Sequence, residues 1–394
     1  MLIENVNIAT PANKEFVRGS ELDKLEILKH QDVTIINGKI ESISPSDETR
    51  EEGRWIIPAF SDPHTHLIFC GTREDEIDLK KKFGYEGLLK RGGGIYRTVE
   101  ATSRCDEETL YQESRERINR MMNNGTAVFE VKTGYGITTE NEEKLLDVAE
   151  RLKRDLKVKM KKTLLAHVVP KGVQEEIYIK EFKRMIEEFR KRIDYVDVFV
   201  DEGAFSPSFA KKAIEFANLL GIPGRVHLNE LKNLDGLATL EGLDIKSYDH
   251  MIATKEEEID LINSVITVLP FTAITLRKDT SILSKIKKKG KIMAMGSDIS
   301  PNTYVTSFPF VLSLARQLLP FTIENLINMG TLNSSYSLSL SGSNGSLHKG
   351  KDASLLVFKE NYNRLGYKFG DDPIERVIIN GKDVRPSLET DLRH

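Results

Sequence analysis

Between about Arg54 and Gly345, short β-branched apolar runs alternate with longer amphipathic ones, and no other feature constrains the fold as much. The short runs are Trp55–Phe60, Thr126–Val131, Thr163–Val168, Tyr195–Val200, Arg225–Leu228, Tyr248–Ile252, Val265–Leu269 and Ile292–Met295, eight in all. Segments between them read as helices. Thr139-x-x-Glu142 has the form of a capping box and leads into Leu145, Leu146, Ala149, Leu152 and Leu156 at helical spacing. Strands separated by helices run parallel, because each crossover returns the chain to the same end of the sheet. Eight such units in about 290 residues predict an α/β fold, a (β/α)8 barrel of the TIM type with function at the C-terminal ends of its strands. The alternative is an open doubly wound sheet, but no Gly-x-Gly-x-x-Gly follows the first strand to mark a dinucleotide site.

The two ends of the chain share a motif. Ile-Ile-Asn-Gly-Lys occurs at Ile35–Lys39 and again at Ile378–Lys382, and Asn-Gly suits a type I′ hairpin turn because both central residues need positive φ. Residues 1–58 and 348–394, including the run Ser354–Phe358, are therefore expected to form one small β-sandwich domain. The barrel, residues 59–347, is expected to be inserted between its halves.

Charge excludes some partners. The chain has 57 Lys and Arg against 60 Asp and Glu, a net charge of −3, with both signs interspersed. This favours a small molecule over a nucleic acid or a membrane surface. The longest uncharged stretches, Ile262–Leu276 and Ile299–Ala315, are interrupted by Pro270 and by Pro301 and Pro309, so neither reads as a bilayer-spanning helix. The start, MLIENVNIATP, has no basic-then-apolar segment, and a cytoplasmic location is expected. Cys70 and Cys105 form neither a disulfide framework nor a paired zinc motif.

Of the eight histidines, five fall in or just after predicted barrel strands. His64 and His66 lie two apart in SDPHTHLIF; on an extended chain residues i and i+2 point to one side, so both imidazoles can reach one ion. His-x-His alone is equally compatible with a turn that happens to carry two histidines. His227 closes the fifth strand, His250 lies on the sixth and Asp298 closes the eighth, so ligand types converge on one rim. Imidazoles with a carboxylate suit Zn²⁺, and iron or manganese also accepts such a set.

With these residues in hand, the chain resembles the metal-dependent amidohydrolase superfamily. More narrowly, REDE after Gly71-Thr72, KRGGGI, EVKTGYGIT, LAHVVP, HLNEL and SDISP resemble the imidazolonepropionases, and the likeness runs from about Ile57 to Asp352. The resemblance implies hydrolysis of 4-imidazolone-5-propanoate to N-formimidoyl-L-glutamate in histidine degradation, by a metal-activated water attacking the ring carbonyl. It implies metal ligation by His64, His66, His227 and Asp298, with Glu230 as general base and His250 as a catalytic histidine. Substrate contacts are implied for Arg73, Tyr85, Tyr135, His167 and Glu230. No lysine stands in or just after YVDVFVDE, where the superfamily's two-metal members carry a carboxylated lysine, which favours one divalent metal per chain, Zn²⁺ or Fe. A homodimer is a further expectation of the resemblance.

The planar fork of Arg73 suits the propionate tail of such a substrate, although Glu74, Asp75 and Glu76 make a surface ion-pair cluster the bland alternative. Lys132, after the second strand, reads as structural or as a loop anchor, and Gly92–Ile95 as a flexible loop near the rim. One departure stands after the eighth strand. Where the family has Asp-x-Asn-Pro-Gly-Thr/Ser, this chain has Asp298, Ile299, Ser300, Pro301, Asn302 and Thr303. Ser300 loses an amide group, Asn302 must supply any positive φ, and Thr303 keeps its hydroxyl at the substrate. Two rival readings are another cyclic amide or imide hydrolase or an aminohydrolase using the same rim, and a barrel that binds partners without catalysis.

Overall fold

The computed structural model describes residues 1–47, 53–89, 91, 93–368, 370 and 372–385. The N-terminal part supplies β1 (Leu2–Thr10), β2 (Glu26–Ile36), β3 (Lys39–Pro45) and β4 (Arg54–Pro58). The barrel strands are β5 (Phe60–Asp62), β6 (Thr126–Lys132), β7 (Lys159–Ala166), β8 (Tyr195–Val200), β9 (Gly224–Leu228), β10 (Ile245–His250), β11 (Val265–Val268) and β12 (Met293–Met295). They pair in sequential order and all in parallel. The cylinder closes just beyond the strand ends, where Thr65 bridges Ile299 and the His66 amide donates to the Ile299 carbonyl at 2.9 Å.

The C-terminal part adds β13 (Leu355–Phe358), β14 (Ile374–Ile379) and β15 (Lys382–Arg385). These join the N-terminal strands in one seven-stranded sheet, ordered β15-β14-β13-β4-β1-β2-β3. Both Asn-Gly turns have the expected hand: φ is 51° and 77° at Asn37 and Gly38, and 49° and 73° at Asn380 and Gly381. The turns pack against each other, and a Cβ on Gly38 would lie 2.8 Å from the Asn380 carbonyl oxygen. Glycine is required there by close approach as well as by φ. Residues 386–394, included in the sequence expectation for this domain, lie outside the described residues.

Three local expectations change. The run Trp55–Phe60 is two strands, since Trp55 pairs with Asn7 and Phe358 in the terminal sheet whereas Phe60 pairs with Thr126 in the barrel. An apolar run buried in two adjoining sheets carries no periodic mark of where it changes sheet. Helices α1 (Glu76–Leu89), α2 (Ile95–Arg104) and α3 (Glu107–Asn123) fill the connection to β6, and α4 (Thr139–Leu156) follows β6. Helix α4 buries Leu145, Leu146, Ala149 and Leu152 as its spacing predicts, but Thr138, not Thr139, is its N-cap. Glu142 does not close a capping box. Its carboxylate accepts from the amides of Gly134, Gly136 and Ile137 at 2.7–2.9 Å, because that tight turn leaves three donors converging on it.

Cys70 and Cys105 are joined as a disulfide, contrary to the sequence reading. Cys70 lies within the loop after His66, Cys105 caps α2, and the Cys70 amide donates to Thr102 Oγ1 on the last turn of that helix at 3.2 Å. Thirty-five positions separate the two residues along the chain, so only packing of α2 on that loop makes them neighbours. Among the described residues no helix is long and apolar enough to cross a membrane.

Candidate metal centre

His64 and His66 follow β5, on chain held extended by the Thr65–Ile299 bridge. His227 is the penultimate residue of β9, and Asp298 lies three residues beyond β12 with φ at 56°. The Nε2 atoms of His64 and His227 stand 3.2 and 3.3 Å from Nε2 of His66. Asp298 Oδ1 is 3.6 Å from Nε2 of His64 and 3.5 Å from Nε2 of His66. A tetrahedral ion with bonds of about 2.05 Å keeps its ligand atoms about 3.3 Å apart, so the spacing is that of an ion's ligands.

Protonation supports the same conclusion. Nδ1 of His64 lies 2.7 Å from Asp249 Oδ2, and Nδ1 of His227 lies 3.0 Å from Asp197 Oδ2. A carboxylate only accepts, so Nδ1 of His64 carries the proton and its Nε2 presents a lone pair. Burial holds His64 and His66 well below the ordinary imidazole range, keeping both neutral near pH 7. Lone pairs aimed at one point repel unless a cation lies between them, and the donor set fits a divalent ion. Burial pushes the Asp298 carboxyl up to about 6, opposed by the hydroxyl of Thr272, which donates to its Oδ2.

Glu230 and His250 stand beside this cluster, with Glu230 Oε2 3.4 Å from His250 Nε2. Left-handed backbone marks both positions: φ is 54° at Asn229, just before Glu230, and 74° and 59° at His250 itself and Met251 after it. Such strain persists only where the surroundings dictate it, and here it lies at the strand ends of the rim. Burial, then the carboxylates of Asp298 and Asp201, push the Glu230 pKa well above the carboxylate range. Burial likewise keeps His250 neutral near pH 7.

A cavity of about 70 Å³ is lined by His66, His227, Glu230, His250 and Asp298 together with Arg73, Tyr135, His167, Ser300 and Asn302. Arg73 and Glu76 are both buried, and Glu76 Oε2 accepts from Arg73 Nε at 2.6 Å. Its other oxygen accepts from the Gly94 amide at 3.0 Å, so the glycine-rich loop anchors the arginine's partner. Asp75, by contrast, makes the exposed pair, with Arg97. Tyr135 is presented by the turn that Glu142 gathers, where a Cβ on Gly136 would lie 2.5 Å from the Glu142 amide nitrogen. His167 stacks on His66 with ring centroids 4.7 Å apart. Tyr85 falls within α1, and its side chain lies outside the described residues. A second cavity, of about 790 Å³, adjoins the first and shares Arg73 and Asn302 with it.

The loop after β12 departs from expectation. Asn302 is not among the positive-φ residues, that conformation being taken by Asp298, and its side chain accepts from Lys80 Nζ at 3.1 Å. Thr303 does not line the cavity; its hydroxyl donates to the Asp298 carbonyl and lies 2.8 Å from Ser300 Oγ, which closes the turn.

Sequence reasoning missed the charges beneath the cluster. Glu130 and Lys132 on β6, Asp197 on β8, Arg225 on β9 and Asp249 on β10 are all fully buried. Lys132 is the last residue of β6 and anchors no loop: its ammonium lies 3.0 Å from Glu130 Oε1 and 2.6 Å from Asp197 Oδ2. The available signal was period two, since Glu130 and Lys132, like Arg225 and His227, share one face of a strand otherwise apolar.

The profile of the amidohydrolase family matches residues 55–384. The chain belongs to the amidohydrolase family. Within this family it is 34% identical over 395 residues to an imidazolonepropionase of Thermoplasma volcanium, with 98% of each chain covered. Proteins of known structure share its fold. A 5-methylcytosine deaminase from Klebsiella pneumoniae superposes with a TM-score of 0.73 at 16% identity, covering 98% of this chain and 97% of that one. An atrazine chlorohydrolase from Arthrobacter aurescens, complexed with zinc, gives 0.72 at 15% identity, covering 98% and 96%.

Proposed function

We propose that this amidohydrolase opens the ring of 4-imidazolone-5-propanoate by hydrolysis, yielding N-formimidoyl-L-glutamate. The observation that carries the reading is one cavity holding the converging imidazoles, the largely buried Glu230 carboxyl of raised proton affinity and a buried arginine. The near full-length likeness to an imidazolonepropionase supports the substrate.

His64, His66, His227 and Asp298 would hold the metal, taken as one zinc or iron per chain, which would supply a water of lowered pKa and a Lewis acid for a carbonyl oxygen. Glu230 accepts the proton released as the water oxygen bonds to the ring carbonyl carbon, and delivers it to the ring nitrogen as the C–N bond breaks. A carboxyl whose proton affinity is raised by burial and by the neighbouring carboxylates of Asp298 and Asp201 suits both halves of that transfer. Neutral His250, 3.4 Å from Glu230, orients that carboxylate and stabilises the developing oxyanion. Arg73 takes the propionate. Glu76 occupies its Nε, and among the described residues no partner takes the two terminal nitrogens, which leaves the fork for a carboxylate. Tyr135, His167, Ser300 and Asn302 line the cavity in which the ring lies. The balanced charge favours a small molecule rather than a nucleic acid, and the assembly proposed is a homodimer.

The test is an assay of metal-loaded protein with imidazolonepropionate generated in place from urocanate. Formation of N-formimidoyl-L-glutamate is expected. Opening of a hydantoin, or release of ammonia from an aminated ring, with imidazolonepropionate left intact, would assign a different substrate to the same centre.

A further inference from the structure

The ammonium of Lys132 lies at the crossing point of the groups that orient the metal-facing imidazoles. Asp197 Oδ2, which meets His227 Nδ1 at 3.0 Å, is the same oxygen that meets Lys132 Nζ at 2.6 Å. Asp249 Oδ2, which meets His64 Nδ1 at 2.7 Å, lies 3.5 Å from the same Nζ. Glu130 completes the surround at 3.0 Å. One ammonium on a strand that carries no proposed metal ligand therefore touches both carboxylates that aim proposed ligands on two other strands.

The surround is itself of ion-holding character, because donor atoms of His64, Glu130 and Asp249 all lie within 4.8 Å of one another. The charges compare as three carboxylates, Glu130, Asp197 and Asp249, against two cations, Lys132 and Arg225, so −3 + 2 = −1. Without the ammonium the balance is −2 in an interior where all five side chains are fully buried. Burial alone would lower the Lys132 pKa, but Asp197, Glu130 and Asp249 overcome it and hold the amine charged. A buried double negative charge either recruits a divalent cation or destabilises the fold.

We propose that Lys132 is a positioning residue of the metal centre, its ammonium standing where a second cation would otherwise bind, so that it aims His64 and His227 and limits the centre to one ion. The inference rests on the metal reading given above. Lys132→Met and the double variant Lys132→Met/Glu130→Gln, which restores the balance to −1, are loaded with excess Co²⁺ alongside the wild type. Cobalt per chain is counted by elemental analysis, ligand geometry is followed by visible absorption, and affinity is measured by chelator competition.

The wild type is expected to hold one cobalt at every excess, Lys132→Met two, and the double variant one. Both variants are expected to show altered visible bands and about 10- to 100-fold weaker retention of the first ion, the usual effect of losing an outer-shell partner. Two cobalts in the wild type, or variants with wild-type count, bands and affinity, overturn the proposal. If Lys132→Met does not fold, the double variant decides: weakened retention with shifted bands supports the proposal, and wild-type values overturn it. A wild type that binds no cobalt overturns the metal centre itself, a distinguishable result.

Discussion

Replacing Asp298 with Asn is expected to stabilise the protein without metal and to weaken it with metal. In the folded, metal-free chain the Asp298 carboxyl titrates near 6 against an ordinary value of 3.8, because it is buried. A raised acid favours folding only while protonated: its contribution is complete below the unfolded value and is lost as pH rises through the folded one. The two values differ by about 2 pH units, so the ionised carboxylate costs about 3 kcal/mol at pH 7.5 and roughly half as much at pH 5. Asn keeps an oxygen to accept from Thr272 and carries no charge to bury.

Urea unfolding of both proteins in a chelator, followed by circular dichroism at the two pH values, reads the difference directly. The variant should lead by up to about 3 kcal/mol at pH 7.5, and its lead should roughly halve at pH 5. Saturating zinc should reverse the order, because binding stabilises the wild type through a ligand that Asn replaces poorly. Equal stability in chelator at pH 7.5, or a lead that ignores pH, would refute the argument that burial of this carboxylate is sustained by a bound cation.

Exchanges at the rim separate roles. His227→Ala should lose metal and turnover together, whereas Glu230→Gln should keep its metal and lose kcat by about 10²- to 10⁴-fold; equal metal loss by elemental analysis would contradict the base assignment. Arg73→Met removes the guanidinium whose Nε Glu76 holds at 2.6 Å and should raise KM about 10- to 100-fold with a smaller change in kcat, the range of one charge-assisted hydrogen bond. An unchanged KM would mean that Arg73 does not bind the substrate's tail.

Much of the scaffold was legible from local pattern, because period two, helical spacing and Asn-Gly turns are properties of a few neighbouring residues. His64 and His66 could be paired for that reason alone: two positions on an extended chain share a side whatever the rest of the fold does. Strand-end placement then drew His227 and Asp298 toward the same rim, once eight parallel strands implied a closed cylinder.

Tertiary structure decided what depends on closure and on burial. Cys70 and Cys105 meet only because α2 packs on the loop after His66. Glu142 turns from a helix cap to the support of the Tyr135 turn because three amides converge on it there. Arg73 and Glu76 leave the surface pairing that their acidic neighbours suggest, and Thr303 closes a turn instead of facing the cavity. Lys132 shows the limit most plainly. Its sequence neighbours mark it as one more polar residue at a strand end, and only bringing β6, β8 and β10 around one axis places three carboxylates about its ammonium. Local sequence specifies which way a side chain leaves the backbone; which charges it meets in a dry interior is settled by strands far apart in the chain.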